Sequence, residues 1–536
     1  MTSRQARWLG PMLTITCVVA GAVLLARCYL GPFTFIRPVS NPLNAEGIFA
    51  LCILLKALLP RPVPTSARVA TFFAPSAAVC ISAACLIAAI AFAGVVRFPL
   101  LHDAYVHIWN ARIRTLHEVL ETSLVKPHLG DVFFRPVGYL SYWLDYKWAG
   151  VEPVRWNLWN IGLHLINTAL VWMFARKLCC GAWGAFIAAL LFALNGTRCE
   201  TVAWVGARFD LLATFFALTA LLAIIRFVDE GEIRWLVFGC LCGFAGFLSK
   251  ESTYTLFLLV LLIMPFRDGS RRFRIIRSAA LLLIVCGIVL AGRTYFLHGL
   301  GGYTTNTGSF TVLNFSVMRS LKALLFRQWA ILLFPLNWTS TDLLLKLTLP
   351  ILLIASAAMA SYSAARRTLL ATTLLWVIAA VLPAQHLLLI GQDLSGSRIL
   401  YLPAVGFALF FGLLAENSAA PKALRVLLPA GLVLFQFASL KHNLAIWRDV
   451  ALLSQKACIA VSAELKSDPR QIVVSDLPNS LRGVFFLRNG LPQCVAIMTG
   501  EPPEKVLVAK DTPEHASDAR FFQWNTQTET FEPVGR

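Results

Sequence analysis

Apolar runs of roughly transmembrane length recur along about the first 440 residues of this 536-residue chain, and they restrict its fold more than any motif does. A helix needs about 20 apolar residues to cross about 30 Å of hydrocarbon. In lipid, a single segment can satisfy its own backbone donors and acceptors only as a helix. Composition agrees: the chain is 58% hydrophobic and 14% charged, with a mean hydropathy of +0.69. That balance excludes an ordinary water-covered globule. The expected fold class is an all-α polytopic membrane protein with a small β-rich domain at its C-terminal end.

The basic residues orient the chain. A net charge of +19 in a soluble protein would suggest a nucleic-acid partner. In a polytopic chain Lys and Arg instead mark the cytoplasmic loops, and no nucleic acid is expected. With Arg4 and Arg7 inside, spans fall at 9–26, 45–59, 69–96, 156–174, 182–194, 211–225, 235–248, 254–266, 279–296, 343–362, 369–390, 400–415 and 424–440. Arg61, Arg68, Arg176, Lys177, Arg226, Arg234, Arg366, Arg367, Lys422 and Arg425 then all lie inside. About thirteen spans result, with the N-terminus cytoplasmic and the C-terminal domain periplasmic, as in a bacterial inner-membrane protein. The stretch 321–336 is expected to be a re-entrant or interfacial helix.

The first run lacks a small-x-small cleavage site, and Arg27 precedes Cys28, so it reads as a retained anchor. The 13 cysteines show no paired spacing and read as buried small hydrophobes. Four segments are expected: a transmembrane hairpin at 1–68, a membrane domain at 69–441 with a large outer loop at 97–155, a helical connector at 442–466, and a β-rich extracytoplasmic domain at 467–536. Strands in that last domain are expected at 471–475, 483–487, 494–498, 505–509 and 521–531, separated by Asn-Gly, Thr-Gly and Pro-Pro turn signals. The inner loops are short and carry neither a Walker A pattern nor a dinucleotide fingerprint, so an activated group must arrive by another route.

Polar side chains gather on the outer side. Directly after the third run comes His102-Asp103-Ala104-Tyr105-Val106-His107. A carboxylate at the rim of a low-dielectric cavity can serve as a general base, and Asp103 and His107, four apart, share a helix face. With His102 they could also hold a divalent cation, magnesium or manganese; the same residues fit an interfacial aromatic belt with a solvated Asp. Arg135, flanked by Phe134 and Pro136, suits an anionic headgroup or snorkels to the interface. Asn157, Asn160, His164 and Asn167 line one stripe of an apolar helix, either as substrate contacts or as polar glue between helices. Glu200, Trp204 and Arg208 stand four apart on one face, just before Asp210. Lys250 and Arg398, the latter close to Tyr401, add ions at the same membrane level. Each alone fits an ordinary interfacial charge, and their recurrence on one side favours an anion site there.

Taken in order, these segments resemble the GT-C class of integral-membrane glycosyltransferases, and in particular its protein O-mannosyltransferase-like branch with the transmembrane-and-tetratricopeptide mannosyltransferases. The resemblance covers about 101–449. It rests on Phe134-Arg135-Pro136, the stripe Asn160, His164 and Asn167, the segment from Glu200 through Trp204 and Arg208 to Asp210, Ser249-Lys250-Glu251, and Ser397-Arg398 leading to Tyr401-Leu402-Pro403. It implies a polyprenyl-phosphate-linked sugar as donor and a hydroxyl acceptor on protein, glycan or lipid outside the cytoplasm. It also implies catalysis by an acid in the first large outer loop, by position Asp103. Donor phosphate or substrate contacts then fall to Arg135, His164, Glu200, Trp204, Arg208, Asp210, Lys250, Arg398 and Tyr401. Where the family shows paired acids, this chain has His102 before a single Asp103, and a β-rich tail replaces the helical repeats. A transporter or lipid flippase would also bury polar residues among helices, but no inverted repeat appears and the clusters lie at the rim. An inactive relative with a binding role is the third alternative.

Overall fold

The structure is a computed structural model that describes residues 3–32, 41–59, 76–125, 132–178, 180–299, 301–302, 316–363, 367–387, 390–416, 419–487, 489–509 and 519–534. Eight of its helices are long and apolar enough to cross a membrane: Leu9–Leu30, Ala77–Arg97, Pro153–Lys177, Val205–Glu230, Gly269–Phe296, Leu343–Ser361, Arg367–Ala384 and Lys422–Ser467. The chain is a multi-pass membrane protein.

The count of about thirteen spans is not reproduced. Pro42–Leu58 has 17 residues, and Ala182–Leu194, Ile233–Phe247, Glu251–Leu261 and Ala404–Glu416 are also below crossing length. One of them ends at a buried polar residue. Ala182–Leu194 stops at Asn195, whose carboxamide turns inward to the Leu332 carbonyl at 2.8 Å and to Gln436 at 3.0 Å. The same helix packs closely on Ala404–Glu416, where a Cβ on Gly184 would stand 2.7 Å from the Gly412 carbonyl oxygen. Small residues allow that approach. The third expected span is described only from Ala77, and 69–75 lies outside the described residues. The stretch 321–336 belongs to a segmented helix: Val317–Lys322, a π turn at Ala323–Arg327, and Gln328–Leu333, whose residues are all buried in the protein.

The described residues of the segment 97–155 include the helices Asp103–Ile113, Leu116–Leu124 and Pro136–Ala149. Thr115 and Glu118 close a capping box on the second. The stretch 442–466, expected as a helical connector, is helical and runs on from the last expected span in one helix, Lys422–Ser467, of 46 residues.

The tail differs from the expectation in three elements: 494–498 is helical, 521–531 is split into two paired strands, and a short strand at Ser480–Leu481 lies outside the expected runs. Strands β1 (Ile472–Ser475), β4 (Val506–Val508), β5 (Arg520–Asn525) and β6 (Thr530–Pro533) form a sheet ordered β4-β1-β5-β6, and β2 (Ser480–Leu481) pairs with β3 (Val484–Phe485). β1 runs parallel to both neighbours, and β5 and β6 are antiparallel. The run 494–498, expected as a strand, lies in the helix Leu491–Thr499. Pro492 in its first turn and Gly500 at φ 84° past its end are helix start and stop signals, so Thr499-Gly500 ends a helix where a turn between strands is expected.

A second correction concerns cysteine. Cys458 on the long helix and Cys494 on Leu491–Thr499 form a disulfide across 36 residues, so they are not simply buried hydrophobes. Replacing Cys494 by Ser is expected to destabilise the tail by about 2–4 kcal/mol. Limited proteolysis with and without the substitution would measure this as faster cleavage after Ser467.

Candidate functional site

The helix Asp103–Ile113 begins at the polar rim. His102, at φ 46°, precedes it and turns its ring toward the tail. A carbonyl can only accept, so the 2.6 Å contact to the Phe486 oxygen puts a hydrogen on Nδ1. The ring stacks on Phe485, with centroids 5.4 Å apart. The Asp103 side chain keeps 34% of its surface exposed. Its Oδ1 lies 3.3 Å from His102 Nε2 and 3.2 Å from Asn489 Nδ2.

Behind this rim the chain buries a set of ion pairs. Arg398 pairs with Glu200 and lies 5.0 Å over the Trp204 ring. Glu200 also accepts from Ser397 Oγ and the Arg398 backbone N–H, both at 3.1 Å. Arg208 pairs with Asp145 and donates to Asn160 Oδ1 at 3.0 Å. Tyr142 and Trp156 lie at 4.9 and 5.2 Å from its guanidinium. Glu251 holds Arg135 and Arg293, both at 2.7 Å, and Asp210 holds Lys250 at 2.5 Å. Burial pulls the Lys250 ammonium below its ordinary value, against the attraction of Asp210. Arg198 is fully buried, donates to the Leu400 and Tyr401 carbonyls at 3.2 Å, and stacks 4.5 Å from the Tyr401 ring.

Each expected cation therefore has a carboxylate partner. Five cations (Arg135, Arg208, Lys250, Arg293 and Arg398) pair with four carboxylates (Asp145, Glu200, Asp210 and Glu251), and Arg198 is held by backbone carbonyls instead. Among the described residues, Arg208 Nη2, Arg198 Nε and Trp204 Nε1 are buried without a hydrogen-bond partner. Sequence reasoning gave no role to Asp145, Arg198 or Arg293. An Arg near the end of an apolar run was signal enough for Arg293.

His164 and Tyr401 lie deeper. His164 Nδ1 accepts from the Tyr401 hydroxyl at 2.7 Å, and Nε2 donates to the Ala193 carbonyl at 3.1 Å. Asn157 reaches the Phe98 carbonyl at 2.9 Å and Asn167 the Leu211 carbonyl at 3.0 Å. Asn160 joins the ion pairs, and the rest of the stripe ties helices together.

His102, Asp103 and His107 do not converge as a metal site would require. Among the described residues no group of three or more His, Cys, Asp or Glu side chains could hold a metal ion. His102 is turned to a carbonyl, and His107, one helical turn past Asp103, lies flat on Tyr142 with centroids 4.3 Å apart. His107 instead lines a cavity of about 160 Å³ with Asn110, Arg114, Thr122, Tyr139 and Trp143.

Burial pushes the His107 imidazole down to about 4; Asp103 opposes the shift, and Arg208 and Arg135 reinforce it. A depressed value means that stability is complete above about 6.5 and drains as the pH falls toward 4. His107→Phe keeps a ring against Tyr142 and loses this contribution. Melting temperatures of the two purified proteins should therefore fall less steeply for the variant between pH 6.5 and 4.

A multi-helix membrane protein with a buried, ion-paired polar centre is thus defined, and comparison with known proteins gives its kinship. No family model matches the chain. It is 33% identical over 126 residues to the protein O-mannosyl-transferase Tmtc1 of Drosophila melanogaster, covering 24% of this chain and 15% of that protein. It is 35% identical over 144 residues to Tmtc2 of the same organism, covering 26% and 15%. It is 24% identical over 362 residues to the protein O-mannosyl-transferase TMTC4 of Homo sapiens, covering 54% and 48%. The chain is a relative of the TMTC protein O-mannosyl-transferases, and the aligned stretches span less than half the length of these relatives.

Proposed function

We propose that the protein is a glycosyltransferase that moves a sugar, mannose by kinship, from a polyprenyl-phosphate donor to an acceptor hydroxyl on the extracytoplasmic face of a bacterial inner membrane. The observation that carries this reading is the buried, arginine-rich polar centre beside Asp103, where donors on Arg208, Arg198 and Trp204 have no hydrogen-bond partner among the described residues. A sugar phosphodiester carries one negative charge and free oxygens that complement such donors. The disulfide supports the outer placement, since such bonds persist in oxidising compartments, and the tail that carries it touches Asp103.

Asp103 takes the proton from the acceptor hydroxyl. The acceptor oxygen then bonds to the anomeric carbon as the bond from that carbon to the phosphate oxygen breaks, which inverts the configuration. Polyprenyl phosphate departs with the electron pair, and the arginines stabilise the charge that develops on it. The phosphate leaves without protonation, so the step needs no general acid.

Mass spectrometry of outer-face glycoproteins and glycolipids from cells with and without the protein tests the reading. A glycan present only with the active protein is expected, and identical profiles would count against it.

A further inference from the structure

The tail reaches the candidate base. β3 and the turn after it bring Phe485, Phe486 and Asn489 against His102 and Asp103. The backbone approaches closely there, and a Cβ on Gly490 would collide with the His102 carbonyl. Asn489 and Gly490 lead into the helix Leu491–Thr499, which the Cys458–Cys494 bond pins to the long helix.

The hydrogen-bond geometry at this turn is restrictive. His102 Nδ1 donates to the Phe486 carbonyl, so a neutral ring presents a lone pair at Nε2, 3.3 Å from Asp103 Oδ1. Two acceptors would then face each other. Asn489 Nδ2 lies 3.2 Å from Asp103 Oδ1 and 3.4 Å from His102 Nε2, and a carboxamide nitrogen has two hydrogens. We propose that Asn489 is a positioning residue, donating one hydrogen to each acceptor, so that the C-terminal domain aims the Asp103 carboxylate and forms part of the active site. This inference rests on the reading of Asp103 as the base.

Among the described residues, the titratable groups around Asp103 are His102 and His107 on its own segment, Tyr142 on Pro136–Ala149, Arg208 against Tyr142, and Arg398 beyond Trp204 and Phe485. Asn489 adds no charge of its own. Asn489→Asp, similar in shape, replaces both donors with a carboxylate.

The test uses the full chain in lipid vesicles with radiolabelled undecaprenyl-phosphate mannose and membrane acceptors. Asn489→Asp is expected to lower kcat roughly 10- to 100-fold with the donor KM unchanged. The acid limb of its pH–rate profile should move to higher pH, because a second carboxylate disfavours an ionised Asp103. Asn489→Ser, which keeps one donor, should fall between, and it serves as the test should the Asp variant fail to fold. Wild-type kcat and an unmoved acid limb in the folded variants would overturn the proposal. Asp103→Asn is assayed beside them. If it is fully active, the base assignment has failed; if it is inactive while the Asn489 variants match wild type, only the positioning role has failed.

Discussion

Asp103→Asn is expected to lower sugar transfer by about 10²- to 10⁴-fold, the usual contribution of a positioned general base. The substitution keeps size and shape, so a loss would report chemistry. Asp103 is partly exposed and has Asn489 and His102 beside it, so an amide there leaves no buried charge behind. The donor phosphate is assigned to other residues, which predicts a nearly unchanged donor KM. The two effects are separable in one steady-state experiment.

Glu251→Ala should act mainly on the fold. Glu251 bridges Arg135, just before the helix Pro136–Ala149, and Arg293 on the helix Gly269–Phe296, and all three are largely shielded from solvent. Removing one partner of a buried ion pair typically costs about 3–5 kcal/mol, because the remaining charge is left uncompensated. Here two guanidinium groups lose their carboxylate. Thermal unfolding of the detergent-purified variant should show a large drop in Tm, together with loss of activity. Glu251→Met combined with Arg293→Met should recover part of the loss, since it leaves one unpaired cation instead of two.

Local signals made much of this legible in advance. Apolar runs marked the membrane helices. Glu200, Trp204 and Arg208 do not share one helical face as their spacing suggests, because the helix Arg198–Ala203 ends before the extended Trp204 and Arg208 opens the next helix, yet Glu200 and Arg208 both enter buried ion pairs. Span length was harder to read, because Asn195 and the Ser249-Lys250 turn end helices inside the protein, where the chain remains as apolar as in a crossing. Ion-pair partners lay outside the reach of spacing arguments. Arg135 and Glu251 are 116 residues apart, and Glu200 and Arg398 are 198 apart, so helix packing decides who meets whom. The same holds for Asn489, 386 residues from Asp103 and just before the helix Leu491–Thr499, part of which, 494–498, has the pattern of a strand.

The most direct test of the central claim uses sealed membrane vesicles of known orientation, supplied either with labelled polyprenyl-phosphate mannose or with a labelled nucleotide sugar. The account predicts transfer from the lipid-linked donor on the extracytoplasmic face, with no nucleotide sugar present and with Asp103→Asn inactive. Transfer that requires a nucleotide sugar on the cytoplasmic face would contradict it.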